Sequence, residues 1–175
     1  MLNTLDPPDR ELVEKAQEAA GRAYAPYSLF AVGAAVRSKS GAVHAAANLE
    51  NASSGLTICA EAAALSLANS AGNHEIDAIA VVGFNFTDTA AGASRVVSPC
   101  GSCRQLIAEA AQRANGSVRV ICCNGELSRI VVWTIDELLP NAFGPENLAV
   151  GRQWPALQEE LRVCVRRLIA IREKQ

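Results

Sequence analysis

Two short stretches, Thr57-Ile58-Cys59-Ala60-Glu61 and Pro99-Cys100-Gly101-Ser102-Cys103, decide how this sequence is interpreted. Together they supply three cysteine sulfurs and one carboxylate at fixed spacing. A catalytic zinc takes three protein ligands and keeps a fourth position for water, and thiolates are among its preferred ligands. The sequence therefore predicts a Zn²⁺ cofactor held by three thiolates, with Glu61 beside it to move protons. The predicted ligands are Cys59, Cys100 and Cys103.

The spacing of these residues predicts where their side chains point. Cys100 and Cys103 are three residues apart at the start of a predicted helix, so both sulfurs lie on one face of it. Cys59 begins another predicted helix, and Glu61 follows within the first turn. Because helix N-termini carry positive partial charge and free N–H groups, we expect them to lower the thiol pKa and favour thiolates. Two helix starts would then meet at one metal.

Two simpler interpretations of the Pro-Cys-x-x-Cys stretch are a structural zinc knuckle and a redox pair. A structural zinc requires four protein ligands in a closed tetrahedron. The three other cysteines have the setting of core residues, in which a free cysteine behaves as a small hydrophobic side chain. They are Cys122, Cys123 and Cys164. The carboxylate of Glu61, at its fixed offset, favours the catalytic interpretation.

Composition limits the class of substrate. The chain has 175 residues, of which 50% are hydrophobic, and this is sufficient for one domain with a substantial core. Its net charge of −2 provides no basic face, so we expect no nucleic-acid partner. A small-molecule substrate is favoured instead.

The same features predict the compartment. The start of the chain lacks a basic region and no apolar run approaches membrane-spanning length, so we expect neither a secretory signal nor a membrane partner. Clustered cysteines that serve as metal ligands are typical of a reducing compartment, whereas disulfides are not. We therefore expect a cytoplasmic protein.

The order of periodic segments predicts the fold class. Predicted helices cover residues 6–24, 59–70, 99–115 and 135–139, predicted strands cover residues 31–37, 42–47, 76–84, 118–122 and 130–134, and polar loops cover residues 48–57 and 85–98. This order predicts an α/β protein with three α/β/α layers and a mixed five-stranded sheet. We expect a single domain over residues 1–175, in which residues 150–175 form an additional C-terminal helix. Its predicted apolar stripe consists of Leu157, Leu161, Cys164, Val165, Leu168 and Ile171.

Five motifs occur in order between about Glu14 and Leu148, at residues 25–35, 48–53, 59–61, 98–105 and 137–145. As a set they resemble the signatures of the cytidine deaminase family, in particular its small homotetrameric members with a three-cysteine zinc, and the related blasticidin S deaminases. The resemblance implies the cytidine deaminase-like fold and hydrolytic deamination of cytidine or deoxycytidine to the uridine nucleoside and ammonia, as in pyrimidine salvage. It also implies a homotetramer whose active sites are completed by neighbouring subunits.

The resemblance further implies which residues contact a nucleoside. Asn48 and Glu50 resemble the ribose clamp, although the residues alone favour a loop turn and a solvated charge. Phe30 and Phe143 resemble rings that pack on the base, with Phe143 supplied by another subunit, whereas an aromatic residue is otherwise more often plain core. The backbone at Ala60 would meet the edge of the pyrimidine.

Two positions depart from the family pattern and leave alternatives open. Ala62 stands where an arginine usually offsets the thiolate charge, and Ser54 stands where many members have a tyrosine. Arg104 and the helix dipoles are candidates to replace the missing charge. Both departures favour, as an alternative, a deaminase of a modified cytosine nucleoside such as blasticidin S. A third hypothesis is a non-catalytic binding protein stabilised by zinc.

Overall fold

The chain is described by a computed structural model over residues 2–87, 95–148, 150 and 153–173, so the middle of the predicted loop 85–98 lies outside the described residues. The helices are α1 (Pro7–Ala20), α2 (Ala60–Ser70), α3 (Gly101–Arg113), α4 (Ile135–Leu138) and α5 (Trp154–Arg172), and the strands are β1 (Phe30–Ser38), β2 (Val43–Ala47), β3 (Ile76–Asn85), β4 (Arg119–Asn124) and β5 (Ile130–Thr134). The chain divides into two compact units, Met1–Ala142 and Phe143–Gln175. One domain with an additional C-terminal helix therefore stays a prediction.

The first unit contains one five-stranded sheet in the order β2-β1-β3-β4-β5. Strand β1 is antiparallel to both β2 and β3, and β4 is antiparallel to β5. The central pair, β3 and β4, is parallel. A parallel pair needs a crossover connection, and α3 provides it. The prediction of a mixed five-stranded sheet is confirmed.

Both faces of the sheet are covered, and β3 is therefore buried on both sides. Ala78, Ala80 and Val82 point to the face on which α1 packs, where they join Leu12 and Ala16. The alternating residues Ile79 and Val81 point to the opposite face, together with the following residues of the helices α2, α3 and α4: Ala60, Ala64, Ile107 and Ile135. This alternation follows from the two-residue period of a strand. The predicted three-layer α/β/α arrangement is confirmed.

Helix α1 starts where the sequence predicts but ends earlier. The carboxylate of Asp6 caps it by accepting a hydrogen bond from the Asp9 N–H at 2.9 Å. The predicted end near Tyr24 is wrong, since the helix ends at Ala20. Tyr24 is held elsewhere: its N–H donates to the Asn48 carbonyl at 3.0 Å, and its carbonyl accepts from the Glu50 N–H at 2.8 Å. These long-range bonds draw the chain out of the helix.

Gly33 lets α1 approach β1 closely. A Cβ atom at Gly33 would lie 1.9 Å from the Ala16 carbonyl oxygen and 2.4 Å from the Ala20 nitrogen. We expect Gly33→Ala to lower the free energy of unfolding by about 3 kcal/mol or more, because a backbone element must move to make room. Urea unfolding measures this. Gly116→Ala is the control, since its Cβ would have no neighbour closer than 4.0 Å, and we expect a change within about 0.5 kcal/mol. Equal effects at both positions would contradict this account.

The second unit contains α5, an amphipathic helix of 19 residues. No residue of α5 is buried, including its large apolar side chains. Within the described ranges of the chain, no helix is both long enough and apolar enough to cross a membrane.

Candidate active site and metal centre

The three predicted ligands converge at the N-termini of two helices. Cys59 and Cys100 are the N-cap residues of α2 and α3, and both have extended backbone conformations. Cys103 lies in the first turn of α3 and is buried. The Cys59 and Cys100 Sγ atoms are 3.8 Å apart, and all three sulfurs lie within 4.8 Å of one another. In the part of the chain that the structure describes, no other group of three or more such side chains could hold a metal ion.

This sulfur cluster has the dimensions of a zinc site. Two sulfurs bound at about 2.3 Å to one tetrahedral zinc lie about 3.8 Å apart, which is the separation of Cys59 and Cys100. Three thiolates leave one tetrahedral position open, as in a catalytic rather than a structural site. The described residues provide no fourth His, Cys, Asp or Glu ligand to this group. The donor set therefore fits a catalytic Zn²⁺.

Glu61 lies beside the cluster in the first turn of α2, and its side chain is almost fully buried, with 4% exposed. Burial raises the pKa of its carboxyl group above the ordinary value, although a hydrogen bond with the Cys103 thiol acts in the opposite direction. A buried carboxyl group beside the open position of a metal can accept a proton from a water molecule there and return it to a substrate. The position of Glu61 thus suits proton transfer rather than metal ligation.

Burial and neighbouring groups shift the pKa values of the three thiols in different directions. Burial raises the pKa of Cys59 and of Cys103, and the Glu61 carboxylate raises both further. Burial also opposes ionisation of Cys100, but the Cys103 N–H and the neighbouring thiols lower its pKa overall. Burial thus opposes ionisation of Cys59 and Cys103, and the expected contribution of the helix N-termini to thiolate formation stays a prediction. A bound Zn²⁺ brings its own positive charge to offset this cost.

Asn48 holds the loop after β2 against β1. Its Oδ1 accepts from the Val32 N–H at 2.9 Å, and its Nδ2 donates to the Phe30 carbonyl at 3.1 Å. The side-chain amide thus replaces a strand partner at the end of the sheet, and it is not a local turn. One donor hydrogen and one acceptor lone pair of the amide remain after these bonds.

Glu50 anchors the segment between α1 and β1. Its carboxylate accepts from the N–H groups of Tyr27 and Ser28, at 3.0 and 3.3 Å. A hydrogen bond from the Ser28 side chain is the main cause that lowers the pKa of Glu50. Sequence reasoning missed Tyr27 and Ser28 as partners, and local spacing gives no signal for them because more than 20 residues intervene.

The other predicted contacts are distributed over both units. Ala60 is fully buried at the start of α2, next to Cys59. Phe30 begins β1, and its ring lies against Gly83 of β3, where an added Cβ would be 3.0 Å from Phe30 Cε1. Phe143 belongs to the second unit, and 60% of it is exposed. Its contact with a base stays a prediction.

The departures from the family pattern have distinct structural settings. Ala62 is half-buried on α2, and Ser54 is exposed at the start of a short 3₁₀ helix, Ser54–Leu56. Arg104 is half-buried, and its guanidinium donates to two backbone carbonyls, that of Pro99 at 2.9 Å and that of Leu138 at 3.1 Å. Arg104 therefore links the turn that carries Cys100 with the end of α4. It is not a free surface side chain.

Comparison with known proteins agrees with this geometry. The family model for the cytidine and deoxycytidylate deaminase zinc-binding region matches residues 7–118. A cytidine deaminase of Halalkalibacterium halodurans is 45% identical over 80% of this chain and 98% of its own length. A blasticidin-S deaminase of Bacillus cereus is 39% identical over 75% of this chain and 89% of its own length. The crystal structure of a cytidine deaminase from Burkholderia pseudomallei is similar with a TM-score of 0.66 and 40% identity, covering 76% of this chain and 97% of that one.

The fold has three α/β/α layers, and its site combines three sulfurs suited to zinc with a buried carboxylate. This combination places the protein in the class of zinc-dependent hydrolytic deaminases. The matches extend over most of the first unit and almost the whole length of the relatives. The chain belongs to the cytidine and deoxycytidylate deaminase family. The predictions of the family, of an enzyme and of a Zn²⁺ cofactor are confirmed.

Proposed function

We propose that this protein hydrolyses cytidine and deoxycytidine to the corresponding uridine nucleosides and ammonia. The observation that carries the proposal is the buried carboxyl of Glu61 beside a three-sulfur cluster with one coordination position open. When bound by Cys59, Cys100 and Cys103, zinc supplies an acidified water at that position. Similarity to cytidine deaminases along the length of the first unit supports a cytosine nucleoside as the substrate.

In this proposal Glu61 carries protons between named atoms. It takes a proton from the attacking water and delivers it to N3 of the pyrimidine, while the oxygen forms a bond to C4. It then takes the remaining proton of that oxygen and gives it to the exocyclic nitrogen, which leaves C4 as ammonia. The raised pKa of Glu61 and its exclusion from water favour both transfers.

Asn48 and Glu50 are proposed to hold the ribose. The amide of Asn48 retains one donor and one acceptor after it binds β1, which matches a hydroxyl group that both accepts and donates. The carboxylate of Glu50 accepts two backbone N–H groups and has capacity for a sugar hydroxyl. Fixed by the protein backbone, the two groups need little reorganisation when a nucleoside binds.

The base is proposed to lie between the rings of Phe30 and of Phe143 from a neighbouring subunit, with its edge against the backbone at Ala60. A homotetramer follows from that role of Phe143 and from the resemblance to small deaminases. We place the enzyme in the cytoplasm, where it would act in pyrimidine salvage on a free nucleoside.

Blasticidin S, a modified cytosine nucleoside, is the second candidate substrate. Ala62 and Ser54 favour it, as does the 39% identity to a relative named as a blasticidin-S deaminase. The paired sugar ligands Asn48 and Glu50 favour an ordinary ribose instead.

Steady-state rates of the zinc-loaded full chain on cytidine, deoxycytidine and blasticidin S separate the two candidates. We expect kcat/KM for cytidine and deoxycytidine to exceed that for blasticidin S by at least about a hundredfold, since a site built for sugar hydroxyls rejects a substrate lacking them. Glu61→Gln protein gives the background rate. The absence of turnover with both ordinary nucleosides would end the salvage proposal, and turnover of blasticidin S alone would establish the second candidate.

A further inference from the structure

Six of the exposed apolar side chains of α5 form a heptad seam. Six residues recur at intervals of three and four along the helix, and together they form the α5 seam: Trp154, Leu157, Leu161, Cys164, Leu168 and Ile171. Its five large side chains are between 42% and 59% exposed, and Cys164 is also exposed, so its predicted core setting is wrong. A regular three-four spacing places side chains in one line along a helix and is the pattern by which two helices pack together. The α5 seam therefore has the form of a helix-pairing surface.

Charged residues on α5 are arranged around this seam. Glu159 binds Arg162 at 3.6 Å and Arg166 at 2.9 Å, and these three residues occupy positions of the heptad that point away from the seam. Glu160 and Arg167 occupy the positions immediately beside the seam. Among the described residues neither of these two makes an ion pair, so both are available to a partner.

We propose that the α5 seam binds the α5 seam of a second copy of this chain in antiparallel orientation. In one register all six residues find apolar partners across a twofold axis. Trp154 faces Ile171 of the other copy, Leu157 faces Leu168, and Leu161 faces Cys164, each pair occurring twice. Such an interface is isologous, because the same surface of both copies is used.

The charges beside the seam select the antiparallel orientation. In an antiparallel pair, Glu160 of one helix lies opposite Arg167 of the other, and the twofold axis repeats this attraction. In a parallel pair, Arg167 would instead face Arg172 of the other helix, and Glu160 would face the apolar Val165. Complementary charge thus supports the antiparallel pair, and like charge opposes the parallel one.

Disulfide trapping in the full zinc-loaded chain tests the register. Two proteins are prepared, Leu157→Cys and Leu168→Cys, each with Cys164→Ser to remove the native seam thiol. In a glutathione buffer we expect a covalent dimer to form when the two proteins are mixed, and no more than background when either is oxidised alone. Dimers formed by each protein alone would show a parallel pair and overturn the orientation. The absence of a dimer from the mixture would overturn the pairing itself.

A charge exchange tests the same contact without altering the apolar seam. In the mixed Cys proteins we expect Arg167→Glu to lower the yield of covalent dimer about tenfold, because two attractions become repulsions, and Glu160→Arg combined with Arg167→Glu to restore it. A parallel pair predicts that Arg167→Glu raises the yield, since the introduced carboxylate would then attract Arg172. An unchanged yield in the single variant would contradict the proposed contact.

Matched controls separate the seam from general hydrophobicity. Leu161→Glu and Leu168→Glu place charge on the seam, whereas Val163→Glu and Ile169→Glu place it on exposed apolar positions outside the seam, which are 43% and 41% exposed. Sedimentation of the otherwise unaltered full chain should show weaker association only for the two seam variants. Equal loss in all four variants would mean that α5 associates without a register, which overturns the proposal.

Discussion

We expect the replacement of Glu61 with glutamine to lower the turnover of cytidine by about a thousandfold or more while the chain keeps its zinc. Glutamine has nearly the same shape as glutamate, so the three sulfurs and the packing of α2 stay in place. It cannot accept a proton from water at neutral pH, and it therefore removes the proposed relay between water, N3 and ammonia. Steady-state kinetics and elemental analysis of the same preparation measure both quantities.

Two further variants sharpen this test. Glu61→Asp keeps the carboxylate but withdraws it by one methylene, and we expect an intermediate loss because proton transfer depends on distance. Glu109→Gln, on the exposed surface of α3, makes the same chemical change away from the metal ligands and should leave turnover unchanged. Turnover by Glu61→Gln within tenfold of the parent rate would refute its role as proton carrier and would favour a non-catalytic, zinc-stabilised protein.

Replacing Cys103 with alanine removes zinc and destabilises the first unit. Cys103 is 1% exposed and is one of the three sulfurs of the cluster, so its loss leaves only Cys59 and Cys100 as ligands. We expect the zinc content to fall below about a tenth of an ion per chain and the free energy of unfolding to fall by more than about 3 kcal/mol, since bound metal stabilises the folded state. Elemental analysis and urea unfolding in the presence of zinc measure these effects.

Cys123→Ala is the matched control for this variant. Cys123 is equally buried but points to the opposite face of the sheet, among the residues that pack against α1. The change leaves only a small cavity, and we expect a loss of about 1 kcal/mol with the zinc content unchanged. Loss of zinc from both variants, or from neither, would contradict a site made of Cys59, Cys100 and Cys103.

Local signals in the sequence were sufficient for the metal ligands and the fold class. The Asp6 cap, the alternation in β3 and the two helix starts are each encoded within a few residues, and the structure confirms them. The predicted end of α1 near Tyr24 was wrong because Tyr24 is held by backbone hydrogen bonds to Asn48 and Glu50. Such contacts join residues far apart in the chain and have no local signature.

The contacts of Asn48 and Arg104 also join distant parts of the chain and could not be predicted from local sequence. The sequence predicted that Asn48 either stabilises a loop turn or binds a sugar. In the structure its side-chain amide forms two hydrogen bonds with the backbone of β1. The sequence predicted that Arg104 is either a surface residue or a counter-charge to the thiolates. In the structure its guanidinium donates hydrogen bonds to two backbone carbonyls. In both cases the partner atoms belong to other elements, so local sequence could not predict these contacts, and the roles of sugar ligand and counter-charge stay predictions.

By itself, the sequence determined which atoms can bind zinc, which carboxylate accompanies them and which helices present them, because these properties depend on residue type and short spacing. Tertiary structure alone decided that Cys59 and Cys100, 41 residues apart in the chain, have sulfurs 3.8 Å apart. It also decided that burial raises the pKa of Glu61. The physical reason is that both results depend on the packing of α2 and α3 against one face of the sheet, where they exclude water from groups distant in sequence.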